Sequence, residues 1–99
     1  MTTTMIRAEI KPESVADVES AAAKMFAAID EAQPAGVRYA SCKLPDGVTF
    51  VILLDLENGP DNPLAALPEF REFQENLRGW IAGPPSADPL TVVGSYRLF

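Results

Sequence analysis

The chain has 99 residues, with 8 Lys+Arg against 14 Asp+Glu, no His, one Cys and a net charge of −6. At this mass about 65% of the unfolded surface can be buried, enough for one modest core without disulfides or metal, so residues 1–99 are expected to form a single domain. The acidic balance excludes the basic field that nucleic acid or anionic membranes require, and zero His removes histidine bases, Ser-His and Cys-His nucleophile pairs and histidine ligation of zinc or haem.

Met1-Thr2-Thr3-Thr4 carries no positive charge, and the longest wholly apolar run, Val51-Ile52-Leu53-Leu54, is far short of a membrane span. A cytoplasmic protein is expected. Thr4 to Ile10 reads as a first strand, with Ile6, Ala8 and Ile10 on one face and Met5, Arg7 and Glu9 on the other. Pro12 suits the first turn of a helix, where its missing N–H costs nothing. From Val15, the apolar positions Val18, Ala22, Met25, Phe26 and Ile29 recur at helical steps until Gln33-Pro34-Ala35-Gly36 stops them. Val37 to Leu44 and Val48 to Leu56 flank Pro45-Asp46-Gly47, a turn in which Pro presets φ and Gly supplies a positive one, so they predict a hairpin.

Glu57 to Leu67 is a long connection with one helical turn expected at Pro63 to Ala66; it reads as a lid or as slack. Pro68 opens a second helix whose stripe is Phe70, Phe73, Leu77, Trp80 and Ile81, closed by Gly83-Pro84-Pro85. Leu90 to Phe99 is expected as the last strand, on the β character of Thr91, Val92, Val93 and Tyr96.

The order β-α-β-β-α-β specifies an α+β, ferredoxin-like fold: an antiparallel sheet of order 4-1-3-2 with both helices on one face. The third strand is apolar on both faces, which leaves the other side of the sheet in need of cover. A second copy in a C2 pair is the expected cover, making a homodimer.

This order at this length, with the doubly apolar third strand and Leu67-Pro68-Glu69-Phe70-Arg71-Glu72-Phe73 leading into the second helix, resembles the dimeric α+β barrel superfamily. Within it the chain looks most like the small antibiotic-biosynthesis-monooxygenase-like proteins, and the resemblance runs from Met5 to Phe99. It implies two sheets enclosing a barrel, helices outside, and a small ligand between sheet and helices. Members include cofactor-independent monooxygenases, haem-degrading enzymes and proteins of unknown role. The haem-degrading pattern is not met: no His can ligate iron, and Arg7 and Glu9 stand on the strand where that branch places an Asn. Trp80 is a loose match to a Trp of that branch.

Two function classes follow. One is a cofactor-free monooxygenase-like enzyme acting on a small aromatic or phenolic substrate; the other is a non-catalytic ligand-binding or assembly module. For the enzyme, Arg7 and Glu9 are the candidate catalytic pair, Glu9 as base and Arg7 stabilising an enolate. Tyr39, Ser41, Ser95 and Arg97 are expected to point into the same barrel and bind substrate, with Trp80 as a ligand-stacking wall. The competing reading puts Arg7, Glu9 and Arg97 in ion pairs at the dimer seam, or has them snorkel to solvent, with Trp80 in the core and Tyr96 beneath a helix. Cys42 reads as a small buried hydrophobe, and Glu69, Glu72 and Glu75 as a solvated stripe with no metal bound.

Overall fold

The computed structural model describes residues 2–57 and 62–98. Its elements are β1 (Thr2–Glu9), α1 (Val15–Ala32), β2 (Val37–Lys43), β3 (Thr49–Leu56), α2 (Pro68–Trp80) and β4 (Ser86–Leu90), with 3₁₀ turns at Pro12–Ser14 and Pro63–Ala66. Proline occupies the first turn of α2, as its fixed φ and absent N–H favour. At the other end of α1, Gln33 takes a left-handed conformation (φ 48°) and donates its N–H to the Ile29 carbonyl at 2.8 Å. The turn at Pro63–Ala66 is capped by Asn62, whose side chain accepts the Leu64 N–H, and Leu64 is fully buried. Residues 58–61, the centre of the segment expected as a lid, lie outside the described residues.

The strands form one antiparallel sheet in the order β2-β3-β1-β4, the expected ferredoxin-like order read from the opposite edge. Ile6 pairs with Ile52 and Ala8 with Phe50, while Ser41 pairs with Ile52 and Tyr39 with Leu54. Directly opposed residues share a face, so these side chains all lie on one side of the sheet. Both helices pack there. The core joins Ile10, Val18, Met25, Phe50 and Phe73, flanked by Phe26, Ile29, Tyr39, Ile52, Phe70 and Trp80. The opposite face carries Met5, Arg7, Glu9, Ala40, Cys42, Val51 and Leu53, and neither helix covers it.

The β2–β3 hairpin turns at Pro45-Asp46-Gly47 as expected, with Gly47 at φ 79°. Asp46 Oδ1 accepts the N–H groups of Val48 and Thr49 at 2.9 Å each, and its Oδ2 accepts the Thr49 hydroxyl at 2.6 Å. These bonds, the Thr49 hydroxyl first, hold the Asp46 carboxyl below its ordinary pKa.

The last strand is a correction. It spans Ser86–Leu90 and pairs with the free edge of β1, where Pro89, opposite Thr4, is tolerated because an edge strand need not donate every N–H. Residues 91–98 have strand propensity but join no strand among the described residues. Val93 is 99% exposed, and Tyr96, expected beneath a helix, is 80% exposed.

Candidate functional site

A cavity of about 330 Å³ lies between the sheet and α2. Its floor is the helix-facing side of the sheet: Ile6 and Ala8 from β1, Ile52 from β3 and Tyr39 from β2. Phe73, Gln74, Leu77 and Arg78 of α2 form the opposite wall, and Ile81 and Pro85 close one end. These α2 positions recur at three and four, so one stripe of the helix faces the sheet. Gln74, Arg78 and Pro85 are also exposed, which places them at the mouth. The volume is about twice the roughly 150 Å³ that accommodates benzene in an engineered apolar cavity.

Tyr39 is the polar group on the sheet side. Its ring stacks on Phe26 at 5.2 Å between centroids and meets Phe70 edge-on at 6.0 Å, so helices α1 and α2 together fix its orientation. Burial of the ring and hydroxyl pushes its pKa up to about 12. The hydroxyl therefore stays protonated at neutral pH. It has no hydrogen-bond partner among the described residues yet remains reachable by solvent. A neutral, fixed O–H of this kind can donate to an oxygen of a bound molecule.

No family model and no curated protein sequence matches the chain. Solved structures do match it. An antibiotic-biosynthesis-monooxygenase-like protein of Nitrosomonas europaea superposes with a TM-score of 0.77 at 15% identity, over 95% of this chain and 100% of the other. A similar protein of Caulobacter crescentus gives a TM-score of 0.74 at 18% identity, over 94% and 90% of the two chains. SnoaB of Streptomyces nogalater, a cofactor-independent oxygenase crystallised as a point mutant, gives 0.68 at 19% identity, over 97% and 96%. The chain has the fold of the antibiotic-biosynthesis-monooxygenase-like proteins. At these identities the likeness is carried by the backbone, and what lines the cavity has to be read from this chain.

The residues expected to converge on one cavity do not converge. Tyr39 lines the chamber, but Arg7 and Glu9 are exposed on the far side of the sheet, in a polar hollow with Leu44, Asp46, Thr49, Pro84 and Ser86. The sheet itself separates them from Tyr39. Ser41 is exposed on edge strand β2 and lies outside the chamber wall. Ser95 lies in the tail after β4, lining a shallow hollow with Thr3 and Leu90; Arg97, with φ 60°, places its guanidinium 5.1 Å from the centre of the Tyr96 ring. Trp80 packs against the core, and its carbonyl accepts the Lys11 N–H at 2.9 Å. Cys42, expected buried, is exposed on the uncovered face.

Gln74 and Arg78 are not among the residues expected at the site; both are polar and lie outside the apolar stripe of α2. Their spacing to Phe73 and Leu77 was the available signal: each immediately follows an apolar residue of the stripe and borders the same groove. Glu72 lies 4.0 Å from Lys24, and Glu69 and Glu72 both flank α1. Among the described residues there is no cluster of three metal-ligating side chains, and no helix is long and apolar enough to cross a membrane.

Proposed function

We propose that the chain works as a homodimer in which each subunit's cavity under α2 holds a small aromatic or phenolic molecule that reacts with dioxygen. The observation that carries this reading is the chamber itself: apolar, of about 330 Å³, with the protonated Tyr39 in its wall. The shared fold with SnoaB, a cofactor-independent oxygenase, supplies a chemical precedent. In such a reaction an activated CH₂ of the substrate loses a proton, and the carbanion passes electrons to dioxygen. One oxygen atom stays on carbon as C=O and the other leaves as water, so the substrate supplies all four electrons.

Among the described residues the chamber wall includes no carboxylate, and Tyr39 is a donor rather than a base. The substrate must therefore be acidic enough to ionise to water. The protein's part is to orient it, to exclude solvent, and to stabilise the enolate oxygen through the Tyr39 O–H, a bond that gains strength in dry surroundings. Arg7 and Glu9 belong in this reading to the seam between copies.

Self-association is supported by the apolar residues on the side of the sheet that neither helix covers. The half-buried Met5, Ala40, Val51 and Leu53 share the uncovered face, and the tail adds the exposed Val93, Tyr96 and Leu98.

The test is oxygen uptake with phenolic polycyclic substrates. Tyr39→Phe should lower the rate about tenfold to a thousandfold, while Arg7→Ala and Glu9→Gln leave it unchanged. Full activity in Tyr39→Phe would overturn the mechanism. The lack of a wall carboxylate favours a second reading, a binding module, which predicts ligand binding without oxygen uptake on any substrate.

A further inference from the structure

Arg78 is the one charged residue among the described residues lining the chamber. Its guanidinium makes no ion pair or hydrogen bond among the described residues, in a chain whose net charge is −6. Lys24 and Lys43 form ion pairs with Glu72 and Glu19, whereas Arg7, Arg38 and Arg71, like Arg78, form none among the described residues, so what sets Arg78 apart is its place. Arg78 stands at the mouth of an apolar cavity, one helical turn beyond Gln74 on the same wall. A cation at a rim whose interior is apolar attracts an anion more strongly than one in open solvent, because part of the field runs through low dielectric.

Resting on the reading of the chamber as a ligand site, we infer that Arg78 selects the ligand: an aromatic molecule that carries one anionic oxygen group, a carboxylate or phenolate. The ring system seats against Ile6, Ile52, Phe73 and Leu77, and the anion is held at the mouth by the guanidinium, with Gln74 placed to add a hydrogen bond. The net negative charge of the protein disfavours anions in general, so within the chamber Arg78 would set affinity and orientation together. A competing role is open to it, since it is the basic residue of the last turn of α2 and suits the negative end of the helix dipole. That role is purely structural and indifferent to ligand charge.

The two roles separate with a matched pair of probes, naphthoate and the neutral naphthalenemethanol, titrated calorimetrically into the native protein, Arg78→Gln and Arg78→Lys at low salt. The native protein should bind naphthoate about five- to tenfold more tightly than the alcohol, with the preference shrinking as salt rises. Arg78→Gln should abolish the preference while leaving affinity for the alcohol unchanged, and Arg78→Lys should keep part of it. If both probes bind but the native protein shows no preference, or if the preference survives in Arg78→Gln, the inference is wrong while the chamber remains a ligand site. If neither probe binds the native protein, the chamber reading falls and the inference with it. Should Arg78→Gln unfold, Arg78→Lys still decides: a preference undiminished by loss of the planar, forked guanidinium overturns the assignment.

Discussion

Replacing Leu53 by Asp tests what covers the second face of the sheet. Leu53 lies on central strand β3, between Met5 of β1 and Ala40 of β2, on the side away from the helices. In a single subunit it is half-buried, so a charge there can stay hydrated and the fold should survive. In a face-to-face pair the same position is sealed. A stable interface of usual size buries about 1,200–2,000 Å² in total, so a position at the centre of the paired face would lose its water entirely. An unpaired charge in such a seam costs about 3–5 kcal/mol, and symmetry inserts it twice. The dimer dissociation constant should therefore rise by about four to seven powers of ten. Sedimentation velocity at micromolar protein should show the native chain at dimer mass and Leu53→Asp at monomer mass, with the helical circular dichroism retained. Leu53→Ala should weaken the pair far less. A native chain that sediments as a monomer, or a Leu53→Asp variant still at dimer mass, refutes the reasoning.

Alkaline titration of the tyrosinate absorbance should show one group ionising at about pH 12, absent in Tyr39→Phe. Because the folded pKa lies above the unfolded one, the stability this tyrosine contributes is complete below pH 10 and declines as pH climbs toward 12. Met25→Ala, at a site 1% exposed and away from the chamber, should cost about 2–5 kcal/mol in urea unfolding without altering ligand affinity. Asp46→Ala should lower the urea midpoint at neutral pH. Since the native carboxyl is held below its ordinary value, its contribution is present above that value and lost as pH falls through the lowered one, so the gap between native and variant should narrow in acid. A gap independent of pH would show that the hairpin bonds do not depend on the charge.

Periodicity made the fold legible. The stripe of α1, the two-faced third strand and the Pro45-Asp46-Gly47 turn each point to one local structure, and together they leave only one βαββαβ arrangement. What periodicity could not give was parity between strands. Alternation within β2 says that Tyr39 and Ser41 share a side but not which side, and a register change of one residue moves both across the sheet. Hence Tyr39 was expected beside Arg7 and is found beneath the helices. The hairpin register settles it in the structure: Leu44 donates to Thr49 across the short turn, which sets Lys43 opposite Phe50 and therefore Tyr39 on the side of Phe50, Ile52 and Leu54. The misplaced β4 has a different cause. Thr91, Val92, Val93 and Tyr96 favour strand, whereas Asp88 and Pro89 do not; yet Ser86–Leu90 is the segment that pairs with the free edge of β1. Tertiary pairing overrode local preference there.

The alternation of side chains along β3 gives so short a chain two different apolar faces. In β3 the successive residues Val51, Ile52 and Leu53 point alternately away from and toward the helices. Ile52 is part of the chamber wall, while its neighbours on either side form the centre of the uncovered face. One strand thus lines the cavity on one side and the uncovered face on the other, separated only by the thickness of a backbone, so on the proposed reading ligand and partner copy would meet it back to back. That is why β3 is apolar on both faces without being the middle layer of a larger fold. Polar groups stand at the Tyr39 hydroxyl and at Gln74 and Arg78 on one side, and at Arg7, beside Val51, and Glu9, beside Thr49, on the other. A charge at Leu53, between Met5 and Ala40, would on the proposed pairing sit where water is excluded, with no charged residue directly opposite it to offset the cost.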